Sequence, residues 1–159
     1  MKTAWKIFLA AAGISAVLDL ASKWAVERFI APYTRVVLVD GFFHLTNVRN
    51  PGAAFGLFDK GGFGRIAFFL AVGVVAMGFI LWLMRRCRDE DRLEALSLGL
   101  VFGGALGNFV DRVRYGEVVD FLLFFWRDFY YPAFNVADIA VCVGIFLFII
   151  TDLGKKREA

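Results

Sequence analysis

Three aspartates lie within long apolar runs of the sequence, Asp19, Asp111 and Asp138, and a fourth, Asp120, lies in the aromatic-rich segment between the last two runs. Ionisable side chains are costly within a bilayer and usually mark a functional site there. Two carboxylates held close together in a medium of low dielectric do not ionise together and instead share a proton. One can then act as a base while the other acts as an acid, so the pair can activate water against an amide carbonyl and protonate the departing amine. Such a pair needs neither a metal ion nor a covalent intermediate.

Asp138 is the strongest single candidate, because no basic residue neighbours it within its own apolar run. Residue types alone leave its partner open among Asp19, Asp111 and Asp120. Asp19 and Lys23 are spaced i, i+4, a spacing that pairs opposite charges on a helix. They fit a structural ion pair that braces a site as well as they fit a direct part in chemistry.

The other polar residues of these runs also have structural explanations. Asp111 and Arg112 are adjacent at the predicted end of a helix, where charged side chains can anchor the helix at the membrane surface. Asn108 and Asn135 fit hydrogen bonds between helices, a common role of amides in membranes. The residue types therefore predict a polar cluster without separating its catalytic members from its supports.

Four apolar runs are long enough for helices that cross a hydrocarbon core, which needs about 20 residues. They cover residues 7–26, 66–84, 95 to about 113, and about 132 to 151. With 60% hydrophobic residues, the 159-residue chain carries more apolar surface than a soluble domain of this size buries. Basic residues cluster within 2–6, 85–92 and 155–157, which the positive-inside rule places in the cytoplasm together with both termini.

Counted from the cytoplasmic ends, the polar residues of three runs fall at two shared depths, about 20 Å and about 25 Å. The first depth holds Asp19, Asn108 and Asp138, and the second holds Lys23, Asp111, Arg112 and Asn135. The inner half of all four runs contains no Asp, Glu, Lys, Arg or Asn. An ion pathway across the membrane needs polar groups in both halves, so we expect a site that opens outward only.

The two outward connections have different compositions. Residues 35–48 contain two β-rich runs joined by the turn Asp40-Gly41, which predicts a hairpin. Residues 118–131 are crowded with aromatic side chains, as in segments that lie in the headgroup region. We predict an all-α polytopic membrane protein, one domain over residues 1–159, with four transmembrane helices, a small extracytoplasmic β-hairpin and an interfacial segment before the fourth helix.

Glycines recur every four residues in the third run, at Gly99, Gly103 and Gly107. This spacing places them on one face of a helix, where the lack of side chains lets a neighbouring helix approach closely. We therefore predict a packing role for these glycines.

The composition disfavours several other partners. The net charge of +3 is small and the basic residues form no stripe with interleaved aromatics, so we expect no nucleic-acid partner. Cys87 and Cys142 have no CxxC spacing and are predicted to be structural. His44 is the only histidine, too few for a histidine-based metal site, although a carboxylate-only site stays open. We expect no metal, no other cofactor and a monomer.

Five blocks of the sequence resemble, in order, the motifs of lipoprotein signal peptidases (signal peptidase II). They are DLASK at 19–23, NPGAAFG at 50–56, GGALGNFVDR at 103–112, VVDF at 118–121 and FNVAD at 134–138. Each block alone is weakly specific. Together, at these positions on four spans, they make the resemblance strong along nearly the whole chain.

The resemblance implies that Asp120 and Asp138 are the catalytic aspartates. It implies that other polar residues line or support the site: Asn50, Asn108, Arg112 and Asn135 as substrate-positioning residues, and Asp19, Lys23 and Asp111 as further site residues. The family's substrate is a prolipoprotein whose lipobox cysteine carries a diacylglyceryl group, and the cut falls just before that cysteine. We therefore expect an enzyme of the bacterial inner membrane whose partners are this substrate and membrane lipid.

Two other functions fit parts of the pattern. A small transporter or assembly factor would use buried carboxylates to bind ions or hold helices together, but the inner half of the bundle lacks the polar residues of an ion pathway. A protease that cuts within a membrane span would place its catalytic residues near the midplane, and the polar residues here lie further out.

Overall fold

The computed structural model describes residues 2–52, 63–127 and 129–158. The elements in chain order are α1 (Thr3–Phe29), β1 (Arg35–Val39), β2 (Phe43–Asn50), α2 (Phe63–Arg86), α3 (Arg92–Tyr115), β3 (Val118–Trp126), β4 (Phe129–Tyr130) and α4 (Val136–Glu158). In the described residues, four helices are long and apolar enough to cross a membrane: α1, α2, α3 and the part of α4 over Val136–Gly154. The predicted number of spans is therefore confirmed.

The start of α4 differs from the prediction. The apolar run suggested a start near residue 132, but the helix begins at Val136. Phe134 instead forms an isolated bridge with Leu122 of β3, and its N–H donates to the Leu122 carbonyl at 3.1 Å. Tertiary pairing thus holds the residues before Val136 in an extended form that hydropathy does not distinguish from helix.

Helix α3 lies at the centre of the bundle and packs against the three other helices. A Cβ atom added at Gly99 would lie 2.6 Å from the Phe8 carbonyl oxygen of α1, and one at Gly103 would lie 2.4 Å from the Ala12 carbonyl oxygen. Gly104, on another face of α3, approaches the α4 backbone at a similar distance. Because a side chain does not fit at these contacts, the predicted packing role of the glycines is confirmed.

The predicted hairpin is present as β1 and β2, which pair antiparallel. Its turn is one residue longer than the two-residue connection that the sequence suggested, because β2 begins at Phe43 rather than Phe42. The Phe42 N–H donates to the Val39 carbonyl at 3.1 Å, which closes the turn. Gly41 has a φ of 71°, a left-handed conformation that glycine adopts without strain.

The sheet is larger than predicted. Residues 118–131, expected to lie along the membrane surface, contain β3 and β4, and the four strands form one antiparallel sheet in the order β1-β2-β3-β4. The first four residues of β3 are buried, whereas Trp126, Phe129 and Tyr130 are exposed. In the β2–β3 pairing, Val48 lies opposite Asp120. This register carries Asp120 back towards the ends of the helices.

Candidate active site

Asp120 is buried in β3 with only 2% of its surface exposed. Its Oδ2 accepts a hydrogen bond from Asn50 Nδ2 at 2.8 Å, and its Oδ1 accepts one from Asn135 Nδ2 at 2.7 Å. The Asn50 side chain is itself fixed, because its Oδ1 accepts the N–H of Gly52 at 2.9 Å. The pairing of β3 with β2 therefore positions the Asp120 carboxylate, and the side-chain amides of Asn50 and Asn135 orient it.

Asp138 lies in the first turn of α4 and forms a reciprocal cap with Asn135. The Asn135 N–H donates to Asp138 Oδ2 at 3.1 Å, and the Asp138 N–H donates to Asn135 Oδ1 at 3.0 Å. This is the geometry of a capping box, with Asn135 at the cap position and Asp138 three residues later. The Asn-x-x-Asp spacing before an apolar run was a signal for this cap that the sequence reasoning missed.

Asn135 joins the two aspartates that the sequence proposed as catalytic. Its backbone N–H binds Asp138, while its side-chain amide binds Asp120. Asn108 completes the bridge: its Nδ2 donates to Asp138 Oδ1 at 2.9 Å, and its Oδ1 lies 3.1 Å from Asn135 Nδ2. Because Asn135 is fully buried, it holds the two carboxylates in one rigid network.

Lys23 is the centre of the charged part of the site and is almost fully buried. Its Nζ lies 2.7 Å from Asp19 Oδ2 and 2.9 Å from Asp111 Oδ2. It also donates to Asn108 Oδ1 at 2.9 Å. The ion pair suggested by the i, i+4 spacing of Asp19 and Lys23 is therefore present, and Asp111 from a second helix joins it.

Arg112 is placed more loosely than Lys23. Its guanidinium lies 4.9 Å from the centre of the Phe69 ring, and Nη1 is 3.4 Å from the Asn108 carbonyl oxygen. Its charge interacts with Asp138 and Asp120. The charge of Arg112 thus acts on both carboxylates, and Arg112 forms no short ion pair with any residue that the structure describes.

Burial raises the pKa of Asp120 from 3.8 to about 6. The negative charge of Asp138 raises this pKa further, whereas the hydrogen bonds from Asn50 and Asn135 and the charge of Lys23 lower it. Desolvation is the largest of these effects, so Asp120 binds a proton more readily than an exposed aspartate does.

The structure brings all nine polar residues predicted from the sequence into one network. They are Asp19, Lys23, Asn50, Asn108, Asp111, Arg112, Asp120, Asn135 and Asp138. Of the block at 50–56, residues 53–56 lie outside the described part of the chain.

Among the described residues, the side chains of Cys87, Asp91 and Glu94 have donor atoms close enough to hold a metal ion, within 4.8 Å of one another. This group lies where α2 meets the start of α3, whereas Asp111 lies near the end of α3. It therefore has no part in the polar network. The Sγ of Cys87 contacts the carbonyl oxygens of Arg88 and Asp91 at 3.5 and 3.7 Å, which suits the predicted structural role of this cysteine.

An apolar groove of about 550 Å³ opens beside Asp138. It lies between the sheet and α4 and is lined by Phe42, Phe124, Tyr131, Phe134, Asp138, Ile139 and Cys142. Asp138 is the one charged residue among the described residues of this lining. The groove therefore connects a candidate reactive carboxylate with a surface suited to an apolar chain.

The model of the family described as signal peptidase (SPase) II matches residues 11–153. The chain belongs to the signal peptidase II family. The lipoprotein signal peptidase of Geobacter sulfurreducens is 44% identical over 158 residues, covering 99% of this chain and 98% of that protein. The lipoprotein signal peptidase of Serratia marcescens is 43% identical, covering 94% of this chain and 87% of that protein.

Two solved structures of bacterial membrane enzymes have a similar fold. A bacterial membrane enzyme determined by the in meso method at 1.9 Å resolution is 30% identical, with a TM-score of 0.81 and 92% of each chain covered. A second, at 2.3 Å resolution, is 28% identical with a TM-score of 0.81, covering 94% of this chain and 88% of that chain. As a member of the signal peptidase II family, the chain is a multi-pass membrane protease.

Proposed function

We propose that this protein is an aspartyl endopeptidase that removes the signal peptide from diacylglyceryl-modified prolipoproteins, with Asp120 and Asp138 as the catalytic pair. The relatives named lipoprotein signal peptidase support the substrate class. The observation that carries the mechanism is the bridge through Asn135, which binds both carboxylates within one buried network. All of these residues belong to one chain, so the proposed site needs no residue from a second copy.

In the proposed reaction Asp120 holds the shared proton and Asp138 is the base. Asp138 lies in the first turn of α4, and the charge of Arg112 acts on it. Asp138 takes a proton from water as the water oxygen attacks the amide carbon, and Asp120 donates its proton to the carbonyl oxygen. When the C–N bond breaks, the amine leaves with the proton held by Asp138, and Asp120 recovers its proton from the new carboxyl group.

We propose that the site faces the outside of the cell and both termini face the cytoplasm. The network lies at the end of α3 and the start of α4, on the same side of the bundle as the sheet. The basic residues of the α2–α3 connection lie at the opposite ends of these helices. The positive-inside rule places that end in the cytoplasm.

We propose that the apolar groove beside Asp138 takes an acyl chain of the lipid-modified cysteine. Its volume of about 550 Å³ lies within the range of small-molecule sites, about 300–1,000 Å³. Cys142→Trp is expected to fill the groove and raise KM for a diacylated substrate. The control is Ile149→Trp, at an exposed position further along α4. Equal KM values for Cys142→Trp and wild type would count against the groove.

The deciding experiment measures cleavage of a diacylglyceryl-modified prolipoprotein by purified protein in detergent with a chelator present. Wild type should cut, and Asp120→Asn and Asp138→Asn should be folded but inactive. Inertness of the folded wild type on several such substrates would reject the substrate class. Continued cleavage by both variants would show that the catalytic assignment is wrong.

A further inference from the structure

Two backbone amides are bound in the same way, one directly before each proposed catalytic residue. The N–H of Ala137, which precedes Asp138, donates to Asp19 Oδ1 at 2.9 Å. The N–H of Val119, which precedes the other catalytic aspartate, donates to Asp111 Oδ2 at 3.1 Å. Each catalytic segment is therefore attached to a buried carboxylate from a neighbouring helix.

Lys23 connects the two attachment points. Its Nζ lies within 2.9 Å of both carboxylates, Asp19 on its own helix and Asp111 on α3. All three side chains are buried, each with 2% or less of its surface exposed. The ammonium group accordingly couples the position of one carboxylate to that of the other.

We propose that Asp19, Lys23 and Asp111 form a clamp that sets the separation of the two catalytic carboxylates. The clamp acts through the backbone at Ala137 and Val119, so its members are positioning residues that do not touch the substrate. This inference rests on the proposed function, because it has meaning only if the residues after Ala137 and Val119 are the reacting pair.

A clamp is needed because the catalytic aspartates belong to different kinds of element. Asp138 moves with the first turn of α4, whereas Asp120 moves with a strand of the sheet. Asn135 joins them through single hydrogen bonds to each carboxylate. A displacement of about 1 Å between reacting groups lowers a rate about 100-fold, so a second connection at the backbone has a direct effect on catalysis.

The test compares variants that keep the acceptor oxygen with variants that remove it. Asp19→Asn and Asp111→Asn retain an oxygen for the amides of Ala137 and Val119, whereas Asp19→Leu and Asp111→Leu do not. We expect kcat to fall about 100-fold in the leucine variants, with intermediate values in the asparagine variants. KM should not change, because the clamp does not contact substrate.

Asp89 is the matched control. Its Oδ1 accepts the N–H of Ala4 at 2.9 Å, the same kind of contact at the start of α1, away from the site. Asp89→Asn and Asp89→Leu should leave kcat and KM unchanged even where they lower the temperature of unfolding. If the clamp were purely structural, kcat would instead fall in step with the unfolding temperature at Asp19, Asp111 and Asp89 alike.

If Asp19→Leu and Asp111→Leu are folded and retain the wild-type kcat, the clamp proposal is wrong. If the leucine variants do not accumulate, wild-type kcat in both asparagine variants would overturn it. Asp120→Asn is measured alongside: an active Asp120→Asn enzyme refutes the proposed function, whereas an inactive one beside fully active clamp variants refutes the clamp alone.

Discussion

Ionised Asp120 is expected to destabilise the folded protein. Its pKa is raised from 3.8 to about 6 by burial, and each pKa unit corresponds to about 1.36 kcal/mol. The cost of the charged form is therefore about 3 kcal/mol. Between pH 3.8 and about 6 the unfolded chain has released this proton while the folded protein retains it. The contribution of Asp120 to stability thus falls as pH rises through this window.

Asp120→Asn removes this pH dependence. The variant also loses a hydrogen bond, because an amide presents one oxygen to the two donors of Asn50 and Asn135, at a cost of about 1–3 kcal/mol. That loss does not change with pH. The free energy of unfolding of wild type relative to the variant should therefore fall by about 2 kcal/mol between about pH 4 and about pH 7.

The assay is thermal unfolding in detergent, followed by tryptophan fluorescence across this pH range. With roughly 2–4 °C per kcal/mol for a chain of this size, the difference in Tm between wild type and Asp120→Asn should change by about 4–8 °C. Asp40→Asn, at an exposed position in the hairpin turn, is the control and should give a difference that does not vary with pH. A flat or rising difference for Asp120→Asn would refute the argument.

Two further predictions concern the proposed catalytic pair and the glycine face of α3. The pH profile of kcat/KM should be bell-shaped, because Asp120 and Asp138 must hold one proton between them; a profile with one titrating limb over the whole stable range would contradict this. Gly107→Ala should lower stability by about 1–3 kcal/mol and also lower kcat, because its Cβ would lie 2.3 Å from Asp19 Oδ2. The control is Gly13→Ala, where a Cβ atom meets open space; it should raise the unfolding temperature because alanine has a higher helix propensity than glycine. An equal loss of stability and kcat in both variants would contradict the role of the contact between Gly107 and Asp19.

The helices were predictable because run length and hydropathy decide what crosses a bilayer. The strand β3 was not, because residues 118–126 are apolar or aromatic at every position except Asp120 and show no alternation. Such a run suits a buried strand and a surface segment equally. Only its pairing with β2, which is remote in sequence, distinguishes the two.

The same pairing explains why the partner of Asp138 stayed open before the resemblance was considered. Residue types and depth left Asp19, Asp111 and Asp120 open as partners, because the depth count places Asp19 level with Asp138, Asp111 at the outer of the two depths, and Asp120 outside the helical runs. The structure engages both with Lys23, whereas Asp120 shares Asn135 with Asp138. The β2–β3 register and the bridging Asn135 amide therefore bring Asp120 to Asp138, a pairing that depth along the helices does not reveal.

The site also satisfies a requirement of the fold itself. The first turn of a helix leaves backbone N–H groups without partners, and such groups are costly at membrane depth. In α4 the N–H of Ala137 is bound by Asp19 and that of Asp138 by Asn135. Residues that cap α4 thus also arrange the proposed catalytic groups, so their loss should affect both stability and activity. Asp120 lies in a strand and its ionised form is costly, so Asp120→Asn should abolish activity with a much smaller effect on stability.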